Sequence, residues 1–128
     1  MNSIADPSVL VVDDDASIQE TIVEALQDGG FVSKVASTGE EAILLLKGGN
    51  FRVLIVDVGF GRDHVKGWAV ARRARSANRS LPVIYITGGS KDDWWIEGVP
   101  NSVLLSKPFA PVQLLTAISQ LLNVSSAV

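Results

Sequence analysis

Four short apolar runs, VLVV (9–12), VLIV (53–56), VIYI (83–86) and VLL (103–105), recur along the chain with longer amphipathic stretches between them. Nearly continuous β-branched runs of this length suit strands covered on both faces, the condition of a parallel sheet flanked by helices. FVSKVAS (31–37) is more polar and reads as an edge strand. Helical patterns fill the intervals. Ile18, Ile22, Ala25 and Leu26 share one face, and Asp28-Gly29-Gly30 follows as a C-terminal cap. Thr38, with Glu41 three residues on, has the spacing of a capping box for a second helix through Lys47. A third helix spans roughly 67–78, and GGSKDDWWIEGVPNS holds a short fourth one stopped by Gly98 and Pro100. The last begins near Pro111, with Leu114, Leu115, Ile118, Leu121 and Leu122 on its apolar side. The alternation predicts a three-layer α/β sandwich, five strands and five helices, as a single domain over 1–128 with a core from about 8 to 122.

A chain of 128 residues can bury one such core without a disulfide or structural metal. It contains no cysteine, which removes disulfide frameworks, thiol catalysis and cysteine-based zinc sites. MNSIADPS lacks a basic-then-apolar signal pattern, and no apolar run reaches the roughly 20 residues that span a bilayer. A soluble cytoplasmic protein is the expectation. The net charge of -3 argues against general affinity for nucleic acid or anionic membrane. The basic run RRARSANR (72–79) reads as a solvated helix end, and His64 as ordinary surface.

In open α/β sheets the ligand crevice lies beyond the carboxyl ends of the strands. The first strand runs into Asp13, Asp14 and Asp15, the third into Asp57, the fourth into Thr87 and the fifth toward Lys107. Asp15 suits the N-cap of the following helix. Asp13 and Asp14 with Asp57 make an oxygen-only donor set, which calls for a cation to relieve their repulsion and suits a hard one, Mg²⁺ or Mn²⁺. In that setting Asp57 can act as a carboxylate nucleophile toward a phosphoryl group, with Thr87 and Lys107 holding the acyl phosphate.

VLVVDDD, VLIVD, VIYITG and LLSKPF, in this order and spacing, resemble the receiver domain of bacterial two-component response regulators, from about Ser8 to Leu122. The resemblance implies a flavodoxin-like sheet of strand order 2-1-3-4-5. It implies Asp13 and Asp14 as the acidic metal pair, Asp57 as phosphoacceptor and third metal ligand, and the Gly59 carbonyl completing the Mg²⁺ shell. It also implies Thr87 as the switch hydroxyl, Lys107 as the phosphate-binding lysine and a cis peptide at Lys107-Pro108. The implied partners are a histidine kinase or histidine phosphotransfer protein, a downstream protein and, as an option, a second copy of the chain. Such a domain catalyses only its own phosphorylation and dephosphorylation.

Several positions depart from the family pattern. Gly61 stands where a proline is frequent, Gly67 comes about two residues late, and Leu104 replaces the switching aromatic three residues before the lysine. Of Trp94 and Trp95, one is expected in the core and the other as a contact residue. Three rivals are weaker. A haloacid-dehalogenase-type phosphatase would use Asp13 and Asp15 but needs an acid after the lysine, and no Asp or Glu follows Lys107. A flavodoxin-like cofactor binder would not place acids at its first strand-helix turn. A receiver-like adaptor that is never phosphorylated has no use for all five polar residues.

Overall fold

The computed structural model describes residues 8–58, 67–88, 94 and 97–126. Strands β1 (Val9–Val12), β2 (Ser33–Ala36), β3 (Val53–Asp57), β4 (Val83–Thr87) and β5 (Ser102–Ser106) alternate with helices α1 (Ala16–Asp28), α2 (Gly39–Gly48), α3 (Gly67–Ala77) and α4 (Pro111–Ser126). The strands form one parallel sheet in the order β2-β1-β3-β4-β5. Four helices are thus present among the described residues. Of the fifth, expected between β4 and β5, Trp94 and Glu97 are helical and the rest of its span lies outside the described residues.

Alternation along the strands divides the core in two. Leu10, Val12, Leu54, Val56, Val83 and Tyr85 face Ala42 of α2 and Val70, Ala71 and Ala74 of α3. Val9, Val11, Val53, Ile55, Ile84 and Ile86 face Ile22, Ala25 and Leu26 of α1 and Leu114, Ala117 and Ile118 of α4. Strands apolar on both faces can only be satisfied by helices on both sides, and burying each large side chain contributes about 1.5–3 kcal/mol.

Helix ends follow local chemistry. Asp15 caps α1 from the N-terminal side. At its other end Phe31 N donates to Leu26 O (2.8 Å) and Gly30 N to Gln27 O (3.0 Å), with Gly30 at φ +87. That is the paired bonding of a Schellman cap, whose left-handed residue favours glycine. Thr38 Oγ1 accepts from Glu41 N at 3.1 Å, while Glu41 Oε1 accepts from Ser37 N at 2.8 Å. The return bond of the capping box therefore goes one residue upstream of Thr38.

Candidate functional site

Register brings the functional residues level. Val12 pairs with both Ala36 and Val56, so the chain leaves β1 at Asp13 beside the end of β3 at Asp57. Asp13, Asp57 and Thr87 are the buried polar residues of the described chain, 1%, 4% and 5% exposed. The Lys107 ammonium donates to Asp57 Oδ2 at 2.6 Å, and Lys107 N donates to Thr87 O at 2.7 Å. The lysine is therefore tied by its backbone to β4 and by its side chain to β3. The Lys107-Pro108 peptide is cis.

The electrostatics leave one group unsatisfied. Asp13 Oδ1 accepts from Asp15 N at 3.0 Å, but Asp13 Oδ2 is buried without a hydrogen-bond partner among the described residues. Its neighbour is Asp57, and two ionised carboxylates have no proton to share. Burial, reinforced by the Asp57 charge and opposed by the Asp15 backbone bond and Lys107, pushes the Asp13 carboxyl up to about 6. For Lys107 partial burial acts downward, yet its hydrogen bond to Asp57 and the charges of Asp57, Asp13 and Asp15 outweigh it, and its pKa rises. A buried oxygen that lacks a donor, in an all-oxygen setting, fits a hard cation.

Asp14 lies exposed next to Asp13. Among the described residues no three His, Cys, Asp or Glu side chains are gathered to hold a metal, and Gly59 lies outside those residues. Asp15 turns away from the crevice: its Oδ1 accepts from Ser17 N and Ser17 Oγ, both at 2.9 Å, and from Ile18 N at 3.3 Å. The Ser17 hydroxyl first, then these backbone bonds, hold its carboxyl below the usual range. Gln19, which sequence reasoning passed over, donates its side-chain amide to Asp13 O and to Ser37 Oγ (3.1 Å). It braces the β1 end against the β2 end, and nothing in its spacing announces that role. Gly67 opens α3 directly against β3: a Cβ there would stand 2.6 Å from Asp57 O and 2.9 Å from Val58 Cα.

Residues 9–119 match the family model of the response regulator receiver domain. The chain belongs to that family. Among solved structures it is similar to a response regulator receiver protein from Sinorhizobium medicae, 38% identical with a TM-score of 0.88 over 93% of this chain and 96% of that one. It is also similar to the chemotaxis protein CheY4 of Vibrio cholerae, 30% identical with a TM-score of 0.81 over 91% and 99% of the two chains. Among curated relatives, the transcriptional regulatory protein CusR of Escherichia coli K12 is 30% identical over 122 residues, 94% of this chain and 53% of CusR. The chain spans about half the length of the curated relatives it matches.

The β4/β5 side of this receiver is built around aromatics rather than a switch residue on β5. Leu104 is partly buried and pairs with Tyr85 on β4. The Tyr85 hydroxyl accepts from Val99 N at 3.0 Å, and its ring lies 4.6 Å from that of Trp68. Trp94 is half-buried and donates Nε1–H to Ser102 Oγ at 2.9 Å; Trp95 lies outside the described residues. The basic run on α3 is only partly solvated. Arg75 donates to the carbonyls of Leu81 (2.6 Å), Pro100 (2.6 Å) and Asn101 (3.3 Å), and Arg72 pairs with Glu97 at 2.9 Å.

Proposed function

We propose that this receiver is a phosphoacceptor signalling domain that takes a phosphoryl group on Asp57 from the phosphohistidine of a histidine kinase or phosphotransfer protein. One observation carries the reading: a carboxylate 4% exposed ends the central strand with a lysine ammonium 2.6 Å away. An Asp57 oxygen forms a bond to phosphorus as the phosphorus–nitrogen bond breaks. A donor ring protonated on its other nitrogen then leaves as neutral imidazole. Lys107, already against Asp57, supplies positive charge to the transferred oxygens, and the Thr87 hydroxyl donates to one of them. Asp13, Asp14, Asp57 and the Gly59 carbonyl would hold Mg²⁺, or Mn²⁺, whose charge offsets that of the phosphoryl group. The domain modifies only itself and, once phosphorylated, changes its affinity for a protein partner.

With Leu104 in place of a switching aromatic, the readout is assigned to residues 88–101, which follow Thr87 directly. Incubation with acetyl phosphate and Mg²⁺ should add one phosphate to the intact mass, and Asp57→Asn should abolish the gain. A gain that persists in the variant removes the assignment, and no gain in wild type favours an adaptor that is never phosphorylated. Hydrogen exchange with beryllium fluoride should alter protection within 88–101; change confined to 57–67 would place the switch in the loop after β3 instead.

A further inference from the structure

At the opposite end of the molecule from Asp57, the C-terminal ends of α2 and α3 and the segments leading into β3 and β4 enclose a cavity of about 510 Å³. Ligand cavities commonly fall between roughly 300 and 1,000 Å³. Leu46, Phe51 and Leu81 give it apolar walls, and among the described residues every charged one lining it is basic: Lys47, Arg52 and Arg73. All three are exposed, and none forms a salt bridge with a described residue. Lys47 also stands in the last turn of α2, where a cation complements the helix dipole. Arg52 precedes a strand and Arg73 sits within α3, so neither has that role. The Phe51 ring lies against Gly49, where a Cβ would meet Phe51 Cε2 at 2.8 Å. Glycine there lets the ring pack down beside the cavity.

Three cations without an ion pair among the described residues, around one apolar hollow in a chain of net charge -3, form a local reversal of sign. We propose that this cavity binds a small organic anion with an apolar, ring-sized body and a carboxylate, phosphate or sulfonate group. The body would fill the space beside Leu46, Phe51 and Leu81. The anionic group would meet Arg52 and Arg73, whose planar forks match such oxygens in pairs. The site is independent of the phosphoacceptor crevice, lying at the amino rather than the carboxyl ends of the strands.

The test uses 8-anilinonaphthalene-1-sulfonate as probe, titrated into ¹⁵N-labelled protein. Saturable shifts should appear at Gly49, Asn50, Phe51, Arg52 and Asn78. Arg52→Glu and Arg73→Glu should each weaken binding about tenfold, as charge-assisted bonds of about 1.5 kcal/mol are lost. Ala77→Phe, at an exposed lining position, should block the hollow with the charges intact. Lys34→Glu, an equal charge change on β2, should leave binding as in wild type, and so should Asp57→Asn. Equal binding of the uncharged N-phenyl-1-naphthylamine would overturn the anion requirement, and absence of saturable shifts at these residues would overturn the site. Shifts there from an acidic peptide but not from the sulfonate would overturn the small-molecule assignment in favour of a protein-docking surface.

Discussion

The crevice at the carboxyl ends of β1 and β3 and the segment that leads into β5 at the amino end of the sheet are held in opposite ways. On the β1/β3 side, Asp13 and Asp57 are buried together, with Lys107 as their nearby cation, and one oxygen of Asp13 has no hydrogen-bond partner among the described residues. On the β4/β5 side, Tyr85, Trp94, Arg72 and Arg75 spend their polar atoms on hydrogen bonds to the segment 97–102. The first side stores the cost of burying charge, with carboxylate repulsion added, and the second is stitched. The side held against its own charge is the one proposed above to receive a cation and a phosphoryl group, and stability gained elsewhere maintains it.

The largest difference between the sides should show in metal-free protein as a function of pH. Asp13 is raised from 3.8 to about 6, so its contribution to stability is fully present below pH 3.8 and is lost as pH rises through about 6. At about 1.4 kcal/mol per pKa unit the loss is on the order of 3 kcal/mol. Urea unfolding in EDTA should therefore show Asp13→Asn gaining on wild type between pH 4 and pH 7.5 by roughly that amount. An equal gap at both pH values would mean that burial, with the Asp57 charge beside it, does not raise the Asp13 carboxyl.

Arg75→Ala probes the stitched side. It removes a cation that three carbonyls accept from, and should cost about 2 kcal/mol with little pH dependence between 5 and 8. Hydrogen exchange should rise first around Pro100 and Asn101. A loss below half of that would show that the arginine is a surface group after all. Tyr85→Phe leaves Val99 N–H buried without its acceptor and should cost about 1–2 kcal/mol, read as a lower urea midpoint at unchanged slope. Asp15→Ala, at the α1 N-cap, should lower the urea midpoint by the smallest amount of the series and leave phosphate uptake intact. Loss of uptake in that variant would move Asp15 from cap to site.

The contrast between the sides also explains what the sequence disclosed. The β1/β3 side is built from strand ends and local caps: β-branched runs fix the strands, and Asp15 and Thr38 act within three residues of themselves. Such features are periodic or short-range and can be read directly. The other side depends on bonds between residues 25 or 26 positions apart, such as Arg75 to Pro100 and Asn101. A basic run gives no sign of which arginine reaches a carbonyl, which pairs with an acid and which lines a cavity, so 72–79 looked uniformly solvated. Gln19 escaped notice for the same reason, since its partner Ser37 sits on another strand's end. Gly67, legible as a late loop glycine at the start of the third helix, takes its further meaning from the 2.6 Å approach to Asp57 O that a side chain would make.

Borohydride trapping gives the most direct test of the central claim, because it reduces an acyl phosphate to an alcohol and so marks the carboxylate that carried it. After acetyl phosphate and Mg²⁺, peptide mapping should find homoserine at position 57 alone, with none when Mg²⁺ is replaced by EDTA. Homoserine at Asp13 or Asp14, or none at any carboxylate of the treated wild-type protein, would contradict the assignment of Asp57 as phosphoacceptor.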